Sequence, residues 1–194
     1  MIETKECAGI GVLRMKHGKA NALDTELCTE LKTALQQQHA KAVVLTGEGK
    51  IFSAGVDLVR LLKDGEDYRR SLLRALSEAL HTLFFYPRPV IAAINGHAIA
   101  GGCIVACAAD HRIMTHEAGR IGIPELLVGV PFPPMALEVM RFNVPAHHLQ
   151  QLIFRGLTCV PEHALTWGLV DELVEGERLL ERALERATEL AAIP

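Results

Sequence analysis

Aromatic side chains are scarce in this chain, with one Trp, two Tyr and six Phe making 5% of 194 residues. A surface that stacks nucleobases needs more of them. Positive charge is not in excess either, because the formal net charge is −3. The electrostatic footprint of a nucleic-acid binder is therefore missing. Cys7, Cys28, Cys103, Cys107 and Cys159 form no C-x-x-C pair. Their odd number and apolar neighbours exclude a disulfide framework and point to reduced core thiols in a cytoplasmic protein. Cys103 and Cys107 stand one helical turn apart, a packing pair before a metal pair. No H-x-x-x-H occurs, and the adjacent His147 and His148 point to different faces of a helix, so no metal is expected. The start, MIETKECAG, holds two acids and no apolar core, unlike a signal peptide. Low-complexity tracts, internal repeats and linkers are absent, as are Walker and dinucleotide fingerprints. Ser53 lies in F-S-A-G, not G-x-S-x-G, which disfavours a serine hydrolase.

What is present is a globular composition, 49% hydrophobic and 22% charged. The length fits one domain with a sizeable core. The run Pro89 to Ala109 has no Asp, Glu, Lys or Arg and is long enough for a membrane span. Asn95, His97 and the glycines at mid-depth argue against that, so no membrane is expected. The run divides instead into a buried strand at Val90–Ile94, a turn at Asn95-Gly96, and a buried helix opened by Ala100-Gly101-Gly102.

Other elements follow from local pattern. Residues 2–15 form a hairpin around Ala8-Gly9. Asp24 caps a helix running to about Gln38, and Lys41–Thr46 is a buried strand. Asp57 caps a short helix, LVRLL. A longer helix carries Leu72, Leu73, Leu76, Leu80 and Leu83 on one face and ends before Pro87. His111–Thr115 is a strand, Leu169-Val170 a strand end, and Asp110 with Arg112 an ion pair. Pro124 suits the first turn of a short helix. Further helices fall at Met135–Phe142, Ala146–Phe154, Pro161–Trp167 and Glu177–Leu190. Strands alternating with helices give the α/β class.

Two features carry chemistry. Gly55-Val56 and Gly101 each follow a buried strand in a small-residue loop, so each offers a backbone N–H. Two such groups can hold a thioester oxygen as it becomes an enolate. Glu125 is a lone acid in the apolar loop IGIPELLVGVPF. A carboxyl desolvated by Leu126, Leu127 and Val128 would have a raised pKa and move a proton near neutrality. The same glycines also fit ordinary turns, and Glu125 also fits an exposed helix start favoured by the dipole.

The sequence resembles the enoyl-CoA hydratase/isomerase (crotonase) family over nearly its whole length. The residues that carry the resemblance are KANAL (19–23), AVVLTGEGKIFSAGVDL (42–58), RPVIAAINGHAIAGGCIVACAADHRI (88–113), GIPELLVGVPF (122–132) and GLTCVPEHALTWGLVDELV (156–174). The resemblance implies a crotonase-like spiral of repeated β-β-α units forming a single domain, residues 1–194. It implies a C-terminal helical part that is short or missing, with the helices from about 176 starting a truncated oligomerisation segment. It implies an acyl-CoA substrate, with coenzyme A part of that substrate and no separate cofactor. By the same resemblance the chain would form a homotrimer or a dimer of trimers. Val56 N–H and Gly101 N–H fall at the oxyanion hole, and Glu125 at a catalytic acid/base position. Lys19, Ala20, Ala54, Val56, Asp57 and Leu58 would line the coenzyme A and thioester site, together with Gly101 and Ile104.

Two departures sharpen the reading. Many hydratases carry a second glutamate three residues after the oxyanion glycine, where this chain has Ile104. One carboxylate in an apolar pocket suits a Δ3,Δ2-enoyl-CoA isomerase, with a hydratase or a catalytically weak acyl-CoA-binding member as alternatives. Val59 stands where some relatives have a lysine near the coenzyme A phosphates. Arg60 either substitutes for it or is a solvated helix charge.

Overall fold

The larger sheet is parallel except at its edge, and its central strands are apolar on both faces. A computed structural model describes residues 1–117 and 119–193 of the chain. β1 (Ile2–Cys7) and β2 (Ile10–Met15) form an antiparallel hairpin, and α1 (Thr25–Gln36) follows. The next step is β3 (Ala42–Thr46), β4 (Ile51–Ser53), the short α2 (Leu58–Lys63) and the long α3 (Gly65–Phe84). Then come β5 (Val90–Ile94), β6 (His97–Ile99), α4 (Gly101–Cys107), β7 (His111–Thr115) and β8 (Ile121–Gly122). A 3-10 turn at Glu125–Val128 leads to α5 (Pro134–Asn143) and α6 (Ala146–Arg155). The chain continues through β9 (Thr158–Cys159), α7 (Pro161–Thr166), β10 (Glu172–Val174) and α8 (Leu179–Ala191).

Each β-β-α step after the first sends one strand to each of two sheets. The six-stranded sheet runs β1-β2-β3-β5-β7-β10, and the four-stranded sheet runs β4-β6-β8-β9. This is the spiral of β-β-α units that the resemblance implies. The hairpin turn needs positive φ at both central residues, and Ala8 (51°) and Gly9 (80°) supply it. Every residue of β3 and β5 is buried, as in a parallel sheet covered on both faces. Alternation along each strand divides the core. Val43, Leu45, Ala92 and Ile94 face α1, α3 and α4. Val44, Ile91 and Ala93 face the other way, onto Leu179, Ala183 and Ala187 of α8.

The structure departs from the sequence reading at several points. The strand expected at Leu169-Val170 lies at Glu172–Val174. Leu169 and Val170 instead turn their N–H groups back to the Ala164 carbonyl, which closes α7 and withholds them from a ladder. Leu73 is 46% exposed, unlike Leu72, Leu76, Leu80 and Leu83. One residue from Leu72 is about 100° around a helix, which takes Leu73 off the buried stripe. Cys7 is only half-buried, because it sits on the edge strand β1. The other four thiols are buried and free.

Asp110 and Arg112 do not pair with each other. The Asp110 carboxylate accepts the Val90 N–H at 2.8 Å, which ties the two ends of the β5-to-β7 crossover. Arg112, 6% exposed, forms a two-point pair with Asp171 at 2.7 and 2.8 Å and donates to the Asn143 side chain. Asn143 in turn donates to the carbonyls of Cys107 and Val139. The network therefore joins β7, α4, α5 and the approach to β10. Removing one member of a buried pair strands the other charge, at a cost of about 3–5 kcal/mol. Asp171→Ala is expected to destabilise the fold by an amount at the lower end of that range, since Asp171 keeps 30% of its side chain exposed. Urea unfolding of both proteins measures it, and a loss under about 1 kcal/mol would show the pair to be structurally idle.

Candidate active site

Three loops far apart in sequence meet at the N-terminus of α4. The first, residues 17–23, is zipped onto the stretch that follows β4. Ala54 N–H donates to the Ala20 carbonyl at 3.0 Å, Leu23 N–H to Gly55 at 2.8 Å, and Asp57 N–H to Leu23 at 3.1 Å. The Asn21 side chain donates to the Phe52 carbonyl at 3.1 Å, and the buried Ser53 hydroxyl donates to the Asn21 carbonyl at 2.7 Å. These bonds leave out the Val56 N–H, which lies between the bonded positions and has no acceptor among the described residues.

The Gly101 N–H opens α4, and it too has no acceptor among the described residues. The two groups are close. A Cβ built on Gly101 would lie 3.7 Å from the Val56 nitrogen, and one on Gly55 would lie 3.0 Å from the Gly101 nitrogen. Such proximity excludes a side chain at Gly55, whose φ of +85° also favours glycine. Gly102 has a different task. Its Cβ would fall 2.3 Å from the Ser53 carbonyl oxygen, so only glycine lets α4 sit against β4. Ala100, read from sequence only as part of the helix opening, holds the hinge. Its φ of 54° and ψ of −127° lie in a region that side chains rarely adopt, a strain of about 1–3 kcal/mol. An Ala100 N–H bond to the Gly122 carbonyl at 2.8 Å holds the turn in that shape.

Val56, Gly101, Ile104 and Glu125 line one cavity of about 350 Å³. Its remaining wall is mostly apolar: Leu61, Leu72, Leu73 and Leu76 from α2 and α3, then Val130, Pro131, Pro133 and Ala136. Arg69 is the other charged residue of the lining. Glu125 is 6% exposed, and neither carboxyl oxygen has a hydrogen-bond partner. Burial pushes its pKa up to about 7. The groups that bury it differ from those expected. Leu126, Leu127 and Val128 are 42%, 68% and 58% exposed, because the 3-10 turn carries them outward. The apolar surroundings come from α3, α4 and α5 across the cavity.

The remaining sequence candidates stand beside the cavity without lining it. Lys19, Ala54 and Leu58 are exposed and Ala20 and Asp57 half-buried, along the zipped edge next to Val56. Asp57 caps α2 through the N–H groups of Val59 and Arg60. Arg60 is partly exposed and ion-paired. It is held by Glu26 at 2.8 Å and Asp64 at 3.2 Å and stacks 4.5 Å above the Tyr68 ring. Among the described residues no three His, Cys, Asp or Glu side chains cluster as metal ligands would. No described helix is long and apolar enough to cross a membrane.

The arrangement can stabilise negative charge on an oxygen and move a proton beside it. Residues 5–194 match the family model described as enoyl-CoA hydratase/isomerase. A Thermus thermophilus protein named provisionally as an enoyl-CoA hydratase is 36% identical, over 89% of this chain and 70% of its own. Human mitochondrial enoyl-CoA delta isomerase 1 is 28% identical over all of this chain and 66% of its own. The chain thus spans about two thirds of the length of these relatives. The apo structure of a Mycobacterium tuberculosis enoyl-CoA isomerase superposes with a TM-score of 0.92 at 33% identity, over all of this chain and 85% of that one.

The raised pKa of Glu125 links the site to stability. Between its ordinary value of 4.5 and about 7, the folded protein holds a proton that the unfolded chain has released. The stability this contributes is complete below pH 4.5 and is lost as pH rises through 7. At about 1.4 kcal/mol per pKa unit the loss amounts to about 3 kcal/mol. Glu125→Gln has no such proton to lose, so its stability relative to wild type should rise by about that amount between pH 4 and pH 8. Chemical denaturation at the two pH values reads the difference. A pH-independent difference would mean that Glu125 titrates normally.

Proposed function

The chain belongs to the enoyl-CoA hydratase/isomerase family, and from that premise we propose that it acts as a Δ3,Δ2-enoyl-CoA isomerase through an enolate intermediate. The observation that carries this reading is the solitary carboxyl: Glu125 is the one acid among the described residues lining the cavity, both its oxygens are unpartnered, and two free N–H groups share that cavity. A 3-enoyl thioester would set its carbonyl oxygen between Val56 N–H and Gly101 N–H. Glu125 then takes a proton from C2, the electron pair moves to the thioester oxygen, and the enolate is held by the two donors. The same carboxyl returns the proton at C4 as the double bond moves to C2–C3. No net proton is exchanged with solvent, and coenzyme A stays attached throughout.

A pKa of about 7 matches this traffic, since the group is about half ionised at neutrality and can both take and return a proton. Hydration demands more. A water molecule must be held as well as deprotonated, and Glu125 has no second carboxyl in the cavity to share that work. Ile104, 3% exposed and one turn into α4, lines the cavity with an aliphatic group that keeps water from the enolate.

Two variants test the reading. Glu125→Gln should lower isomerase turnover by about 10²-fold or more, the scale of general acid–base catalysis. Ile104→Glu should raise the ratio of hydration to isomerisation. Wild type incubated with trans-2-enoyl-CoA should lose the conjugated thioester absorbance slowly, and with 3-enoyl-CoA should gain it quickly. Rapid hydration by the wild type would instead make it a hydratase working with one carboxylate.

A further inference from the structure

The cavity wall supplied by α3 is a stripe at positions 69, 72, 73 and 76, the spacing of one helix face. Three of the four are leucine and the first is Arg69. Its neighbours on the same helix are neutralised locally: Arg70 pairs with Glu66 and Arg74 with Glu78. Arg69 forms no ion pair among the described residues, and its hydrogen bond is from Nε to the Leu61 carbonyl at 3.1 Å. That bond fixes the guanidinium at the cavity wall and leaves the Nη groups unused. Their planar fork matches a carboxylate in a two-point geometry. Arg69 and Glu125 line the same cavity, and Glu125 has no hydrogen-bond partner, so the two charges do not pair.

We propose that Arg69 selects acyl thioesters that carry a second carboxylate at the far end of the acyl chain. The inference rests on the thioester reading above and adds the substrate class. Arg69 is itself exposed, so a carboxylate meeting it at the rim keeps part of its hydration, while the methylenes between lie along Leu72, Leu73 and Leu76. A methyl-ended chain of equal length gains the apolar contacts only. A charge-assisted bond of this kind is worth about tenfold in affinity at a partly hydrated site.

The test is calorimetric binding of two series of saturated acyl-CoA thioesters, four to eight carbons long, one ending in carboxylate and the other in methyl. Free coenzyme A serves as the third probe. At the best-fitting length the carboxylate series should bind about tenfold more tightly than its methyl partner. Arg69→Met should collapse that ratio toward one, and Arg69→Lys should retain part of it. Because the readout is a ratio, any loosening of α2 through the lost Leu61 bond cancels. Methyl-ended thioesters bound as tightly as carboxylate-ended ones at every length would overturn the inference and leave the isomerase reading standing. So would equal losses for both series and coenzyme A, which would put Arg69 on the nucleotide phosphates. If neither series bound, the thioester reading would fall and this inference with it.

Discussion

The N-terminus of α4 packs closely on the end of β4 and the stretch after it, at glycines where no Cβ would fit. Gly102 lies where a Cβ would meet the Ser53 carbonyl oxygen at 2.3 Å, and Gly55 where one would meet the Ile99 carbonyl oxygen at 2.7 Å. This contact brings the Val56 and Gly101 N–H groups side by side, one from each segment. Helix α4 then carries Ile104 into the same cavity, and the strained turn at Ala100 sets the direction in which the helix leaves. A single methyl group at Gly102 would push the two segments apart, and the pair of donors would separate with them.

The second constraint is electrostatic. A carboxyl with two unpartnered oxygens is normally a fault in a folded core, because buried polar groups without partners cost stability. At Glu125 that cost has a chemical counterpart. The same burial that disfavours the ionised form brings its pKa to the range where a proton is most readily exchanged at neutral pH. Two other buried charged residues are compensated. Arg112 is matched by Asp171 and Asn143, and the buried Asp24 by His17 at 2.6 Å. Glu125 differs from these two in having neither carboxyl oxygen bonded.

Much of this was legible in the sequence, for reasons that differ by element. β3 and β5 announce themselves because strands buried on both faces are unbroken apolar runs. Asp24 and Asp57 announce α1 and α2 because caps are local chemistry, and both carboxylates accept the N–H bonds expected of them. The strands of the smaller sheet, two or three residues each, carry too few residues to show alternation. Glu125 stood out as an acid among apolar residues, but its burial comes from helices remote in sequence rather than from Leu126 to Val128. The strain at Ala100 has no sequence signal, since alanine, unlike glycine or asparagine, does not mark positive φ. Arg60 resembled a free cation because its partners Glu26 and Asp64 include one that is 34 positions away. Arg69 had a signal that went unread: it begins the i, i+3, i+4, i+7 stripe of Leu72, Leu73 and Leu76.

The zipped loop at residues 17–23 has a kinetic meaning as well as a geometric one. Its partners lie more than 30 positions along the chain, and the helix they jointly support begins at Gly101. The loop has local bonds of its own, from Asn21 N–H to the His17 carbonyl and from His17 N–H to the Asn21 side chain, but its bonds to the stretch after β4 are all long-range. Parallel strand pairs such as β2 with β3 and β3 with β5 impose the same long closures on the larger sheet. Topologies rich in distant contacts form slowly, because chain entropy is lost before the contacts that repay it are made. The pair of adjacent N–H donors therefore exists only once these long closures are made. Any ligand held between those donors binds only the finished molecule and draws the folding equilibrium toward it.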